Sequence, residues 1–165
     1  MSALNPGKYV IRFIPLKGEV GGGVATCQNQ PDQPVKVDAL SPDLAQSQTW
    51  AAMPGEVEGQ WGIASWNDGS VYGGLLTIMD PTGVPAGPVI TASPPDAPGP
   101  SDKDQYWIVT PVDVAGETDT FTLRPVTKAV GMDYYVGVKD GEMYIQDFAV
   151  GDDKPKPYWQ FINTM

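Results

Sequence analysis

A short phrase recurs three times along this chain, and no other feature narrows its fold as much. Tyr9-Val10-Ile11, Trp61-Gly62-Ile63 and Phe121-Thr122-Leu123 each open a strand-like segment. Each is answered further on, by Gln48-Thr49-Trp50, Gln105-Tyr106-Trp107 and Pro157-Tyr158-Trp159. From the first residue of each opener to its Trp the gap is 41, 46 and 38 residues. Self-similarity at such a period marks a repeat architecture. One unit of this size cannot bury its apolar face alone, so the three units must close on each other.

Between these landmarks helical periodicity is nearly absent. Short alternating runs, bounded by Gly, Pro, Asn and Asp, follow one another about every ten to fifteen residues, the pattern of an all-β chain. Twelve strands are expected, over 8–14, 22–28, 34–39, 48–53, 59–65, 70–78, 88–92, 105–111, 119–126, 133–138, 142–147 and 157–162. Twelve strands in three groups of four predict a β-trefoil with three pseudo-symmetric repeats, in one domain over 1–165. The first and fourth strands of each group would build a six-stranded barrel, and the middle pairs would form three capping hairpins. Tyr9/Ile11, Trp61/Ile63 and Phe121/Leu123 alternate, so each pair points to one face. A small barrel needs such layers of bulky inward side chains, and all six are expected to be buried. Asp140-Gly141 is expected to form a tight hairpin turn. A β-sandwich is the alternative, and it leaves the threefold recurrence unexplained.

Composition narrows the function. The chain has 165 residues, net charge −10 and only ten Lys and Arg, so nucleic acid and anionic membranes are unfavourable partners. The absence of His removes the commonest general base and metal ligand, and with it Ser-His-Asp and Cys-His catalysis. Cys27 stands alone in an apolar stretch and reads as a buried filler rather than a reactive thiol. The start shows no charged region followed by an apolar run, and no apolar run approaches about 18 residues. A soluble, cytoplasmic, monomeric protein is expected, with no cofactor, metal or catalytic residue.

Several segments match a known family in order along the chain. Gly7-Lys8-Tyr9-Val10-Ile11-Arg12 is similar to its first strand, and Val20-Gly21-Gly22-Gly23 followed by Val24-Ala25-Thr26 to its glycine-rich first loop and second strand. Gln33-Pro34-Val35-Lys36-Val37, Gln48-Thr49-Trp50, Gly59-Gln60-Trp61-Gly62-Ile63 and Pro157-Tyr158-Trp159-Gln160-Phe161 continue the series. On these the chain resembles the mycocypins, fungal β-trefoil inhibitors of cysteine proteases, and among them the clitocypin group. The likeness runs the full length and is densest over 5–65; over the Pro-rich 79–101 it is architectural only. The resemblance implies a protein that is not an enzyme. It implies papain-like cysteine proteases as partners, their active-site cleft occluded by the first-to-second and third-to-fourth strand loops, here 15–22 and 40–47. It also implies legumain as a partner, through an Asn in the fifth-to-sixth strand loop, here Trp66-Asn67-Asp68-Gly69.

The candidate papain-binding residues are thus Val20, Gly21, Gly22, Gly23, Pro42, Asp43 and Leu44, and the candidate legumain-binding residue is Asn67. Glycines without a Cβ can lie flat in a narrow cleft; the bland alternative is a flexible turn. No Lys-Ser/Thr pair follows them, so they form no phosphate loop. Leu44 is an apolar residue in a polar loop, suited to an apolar specificity pocket unless it folds back on the barrel. Asn67-Asp68-Gly69 is equally a standard turn sequence. Trp66 reads as an exposed anchor or a core residue. Lys154-Pro155-Lys156-Pro157 occupies a place where some relatives carry a basic residue against trypsin, but a structural linker is favoured. The acidic pairs Asp152-Asp153 and Glu56/Glu58 have no metal or glycosidase spacing and read as solvated edge.

Two rival readings share the scaffold. Gln48-x-Trp50 and Gln105-x-Trp107 echo the Gln-x-Trp of ricin-type carbohydrate-binding lectins, where that motif is mainly core, and the sugar-binding set is not found three times. Inhibition of serine or aspartic proteases is the other.

Overall fold

The computed structural model describes residues 3–16, 22–28, 30, 32–67, 70–91 and 103–164. Among the described residues the fold is all-β apart from one 3-10 turn at Pro42–Leu44. The first group of strands is β1 (Gly7–Ile14), β2 (Val24–Thr26), β3 (Lys36–Asp38) and β4 (Trp50–Pro54). The second is β5 (Gln60–Asn67), β6 (Ser70–Met79), β7 (Pro85–Thr91), β8 (Lys103–Asp104) and β9 (Trp107–Pro111). The third is β10 (Thr120–Pro125), β11 (Met132–Lys139), β12 (Glu142–Ala149) and β13 (Tyr158–Asn163). Thirteen strands therefore stand among the described residues, against twelve expected; the added one, β8, is a two-residue strand on the edge of β6, with Thr77 opposite Asp104 and Ile78 opposite Lys103. None of the described helices is long and apolar enough to cross a membrane.

Six strands close on themselves. β1 pairs with β4, β4 with β5, β5 with β9, β9 with β10, β10 with β13 and β13 back to β1, every pair antiparallel. Closure leaves this ring without a free edge. β2–β3, β6–β7 and β11–β12 pair as three hairpins. The hairpins touch each other: Glu142 on β12 pairs with Lys36 on β3, Tyr144 with Pro88 on β7, and Pro34 bridges Ile90. The turn joining β11 to β12 has Asp140 at φ 53° and Gly141 at φ 73°. Two successive positive φ values are the turn whose twist suits a hairpin, and Asp-Gly tolerates them.

The threefold recurrence has a physical counterpart. Trp50 Nε1 donates to the Ala25 carbonyl at 2.9 Å, Trp107 Nε1 to Leu75 at 3.1 Å and Trp159 Nε1 to Val136 at 2.8 Å. In every group an indole from the last strand bonds the backbone of the second. Each Trp is almost fully buried, and a buried indole N–H needs such a partner. Around them pack Tyr9, Ile11, Ile63, Phe121, Leu123 and Phe161, with Cys27 also in the core.

Trp61 departs from expectation. It packs against the core but is only half-buried, whereas Ile63, two residues on, is 1 % exposed. The other two openers are covered. Phe161 meets Tyr9 and Phe121 edge-on at 5.6 and 5.3 Å, and Leu4 shares their cavity at the end of the barrel. Trp61 opens its strand outside that cover.

Candidate functional site: the loops around Leu44

The connection from β3 to β4 is a loop built on one buried side chain. Pro42 starts the 3-10 turn, and the Leu44 and Ala45 amides donate to the Ser41 and Pro42 carbonyls at 3.0 and 3.3 Å. Gln48, fully buried, ties the loop inward. Its Oε1 accepts from the Ser41 amide at 3.0 Å. Its Nε2 donates to the Ala39 carbonyl at 3.0 Å and to Thr26 Oγ1 at 3.1 Å. The loop's two ends are thereby held to each other and to β2. A loop fixed this way loses little freedom when a partner binds.

Pro42, Asp43 and Leu44 all sit on the exposed side of this loop, Leu44 at 39 % exposure. Leu44 therefore keeps part of its surface in water. Leu40, which the sequence reading did not single out, is more exposed still, at 65 %. Leu40 and Leu44 are the two exposed leucines of this tied loop.

The β1–β2 loop meets this one at its root. The Phe13 amide donates to the Gly23 carbonyl at 2.9 Å. A Cβ on Gly23 would lie 2.9 Å from Val37 Cγ1 and 3.1 Å from the Asp38 carbonyl oxygen, so Gly23 packs directly against the strand that leads into the second loop. Gly22 has φ +109°, a backbone that other residues adopt only with strain. Arg12 lies beside it, its guanidinium held by Glu117 at 3.1 Å and Gln160 at 3.0 Å. Val20 and Gly21 lie outside the described residues.

Asn67 is the last residue of β5 and pairs with Ser70 on β6; Asp68 and Gly69 lie outside the described residues. The neighbouring Trp66 is half-buried, and Lys8 Nζ sits over its ring at 4.1 Å from the centroid. Its amide donates to the Thr49 carbonyl at 2.9 Å, and Thr49 Oγ1 donates to the Ala45 carbonyl at 2.6 Å. Thus the hairpin bearing Asn67 abuts the loop bearing Leu44.

The remaining candidates fall elsewhere. Lys156 Nζ donates to the Asp152 and Lys154 carbonyls at 2.9 and 2.7 Å and lies over Phe148, which fastens the 150–157 loop as a linker. Asp152 Oδ1 accepts from the Lys154 amide within that loop, while Glu56 and Glu58 stand exposed in the β4–β5 turn. Trp50 and Trp107 of the two Gln-x-Trp phrases are core residues with no face open for stacking. Among the described residues no three His, Cys, Asp or Glu side chains are grouped to hold a metal.

Neither Arg12 nor Gln48 was visible as a loop support in the sequence. Arg12 lies within β1 and Gln48 just before β4, and only the fold brings their partners, 105 and 22 residues away, into reach.

Comparison with known proteins bears on this arrangement. The family described as peptidase inhibitor clitocypin matches residues 7–161. Clitocypin-4/-3 of Clitocybe nebularis is 26 % identical over 167 residues, covering 98 % of this chain and 98 % of that protein. Among solved structures, SeviL bound to asialo-GM1 saccharide is similar with TM-score 0.57 and 15 % identity, covering 98 % of this chain and 100 % of the other. The Haemophilus ducreyi cytolethal distending toxin is similar with TM-score 0.53 and 11 % identity, over 94 % of this chain and 85 % of the toxin chain. At such identities these two likenesses speak to fold alone. The family match spans nearly the whole barrel, first strand to last, and so the chain belongs to the clitocypin family of peptidase inhibitors and is an inhibitor, not an enzyme.

Proposed function

We propose that this chain is a single-domain β-trefoil that inhibits papain-like cysteine proteases by laying two loops across their active-site cleft, and inhibits legumain through Asn67. The barrel of six strands with three bridged hairpins supports the trefoil assignment. One observation carries the papain-directed reading: the loop holding Leu40 and Leu44 outward is locked from inside by the fully buried Gln48. Exposed leucines on a prefixed backbone are what a cleft with an apolar pocket can accept at little ordering cost. Gly22 and Gly23, at the root of the adjoining loop, keep that side low, so the edge can approach a narrow cleft closely. No bond is made or broken. The inhibitor excludes substrate by filling the groove and shields the nucleophile from water and peptide alike. At the β5–β6 connection the Asn67 amide offers a donor and an acceptor, which a pocket built for Asn requires.

Titration of papain with the intact chain tests the first part. Stoichiometric, reversible inhibition without cleavage of the chain is expected. Full papain activity at a large molar excess of the chain overturns it.

A further inference from the structure

The candidate papain-binding loop and the candidate legumain-binding hairpin are joined by a continuous, short hydrogen-bonded path. Thr49 is the joint. Its hydroxyl bonds the Ala45 carbonyl at 2.6 Å, and its own carbonyl receives the Trp66 amide at 2.9 Å. Crossing Thr49 and stepping on to the next Cα adds about 4–5 Å each by ordinary backbone dimensions. Asn67 Cα therefore lies within about 15 Å of the Ala45 carbonyl, the residue after Leu44. Both sides of this joint are tied. Gln48 ties the loop from within, and Lys8 over the Trp66 ring, together with the Trp66–Val71 and Asn67–Ser70 pairs, holds the end of β5.

A stable protein–protein contact covers about 800 Å² of each partner, a disc about 16 Å in radius. Two such discs avoid overlap only when their centres are about 32 Å apart. Footprints of this size centred on anchors within about 15 Å of each other overlap.

We infer that the edge at Leu44 and the hairpin at Asn67 form one footprint, so that a molecule holding one protease is closed to the other. This rests on the function proposed above and adds its regulation: the chain is a single-seat inhibitor, and an excess of one protease class releases the other. Thr49 and Trp66 lie at the centre of that shared seat.

The test uses the intact chain, active legumain, and papain whose nucleophilic cysteine has been changed to serine, so that it binds but cuts nothing. Each enzyme is first titrated alone with the chain, active papain standing in for its silenced form. The silenced papain is then added to the legumain–inhibitor mixture. At ten times its own Kd, silenced papain should raise the apparent Ki for legumain about elevenfold by mass action. Gel filtration of all three proteins should show only the two binary complexes. A ternary complex, or legumain inhibition indifferent to saturating silenced papain, overturns the shared footprint. Failure of either single titration overturns the function proposed above, and with it the shared seat, and is seen before the competition is run.

Discussion

Gln48 Nε2 donates to Thr26 Oγ1 across 3.1 Å, tying the loop that carries Leu44 to strand β2. The same amide closes the loop on itself through Ser41 and Ala39. Replacement of Gln48 by Leu keeps the volume and strands these polar groups. A buried group left unpaired costs about 1–3 kcal/mol. The urea midpoint of Gln48→Leu should fall accordingly, with the slope unchanged. Inhibition of papain should weaken by about tenfold or more, since each 1.4 kcal/mol of ordering is tenfold in affinity. A variant of lower stability with unaltered papain inhibition would show that the loop's fixed shape does not matter.

Leu44 and Leu40 supply a cleaner probe of the edge than its glycines do. Gly22 has φ +109°, so any replacement there strains the backbone before it meets a protease. Leu44→Asp and Leu40→Asp change only exposed side chains, and should leave stability within about 0.5 kcal/mol. Papain inhibition should fall at least tenfold for Leu44→Asp, as a charge enters an apolar pocket. Thermal melts beside papain titrations check both halves. Undiminished inhibition in the Leu40, Leu44 double variant removes this loop from the interface.

The three buried indoles make a test of the repeat. Trp159 is fully buried, and its N–H bonds the Val136 carbonyl. Trp159→Ala should destabilise the fold by about 3–5 kcal/mol, the range for large aromatic truncations. Trp61 keeps part of its side chain in water, and Trp61→Ala should cause a loss of about half that. Equal midpoints for the two variants in urea would contradict the difference in their packing.

Trp61 also shows how far the sequence could be read. Alternation correctly put it on the same face as Ile63, but not its depth, because depth depends on what covers the barrel end. Leu4 and Phe161 cover Tyr9 and Phe121, and nothing local to Trp61 tells which opener lacks that cover. The strands were legible because alternation and turn residues are local signals, as at Asp140-Gly141. β8 was not, being two residues long and fixed only by its partner β6. At the candidate site Leu44 stood out as apolar among polar residues. Leu40 did not, for it follows a strand and reads as its tail. Gln48 looked like part of a Trp motif; its work on Ser41, Ala39 and Thr26 exists only after the loop has folded over it.

Asp80 gives the fold a local dependence on acid. Its Oδ1 accepts from the Thr82 hydroxyl and from the Thr82 and Val84 amides at the β6–β7 turn. The Thr82 hydroxyl first, then the Val84 amide, hold its pKa below the ordinary 3.8. A carboxylate with a depressed folded pKa stabilises the turn above its unfolded pKa, and loses that contribution as pH falls through the folded value. Amide chemical shifts of Thr82 and Val84, followed from about pH 5 to about pH 2, should move with a midpoint below 3.8. In Asp80→Asn that transition should vanish. A midpoint above 3.8 would refute the role of these bonds.

Asn67 carries the most specific prediction. It ends β5 opposite Ser70, and two residues join the strands beyond it. The residue before it, Trp66, pins this end of β5 to Thr49. A pocket that requires Asn uses both halves of the amide, and a substitute that leaves either half unanswered is rejected. Asn67→Lys keeps a polar residue at the turn and removes the acceptor. Legumain inhibition by this variant should disappear, while papain inhibition should persist with a far smaller change, because its anchors Leu40 and Leu44 stay on a loop that keeps every hydrogen bond that shapes it. The melting temperature should be unchanged. Loss of both activities with an unchanged melt would mean that Asn67 also touches papain, as part of a seat still more compact than the Thr49–Trp66 joint requires. Retained legumain inhibition would make Asn67 a turn residue and move the legumain contact elsewhere on the chain.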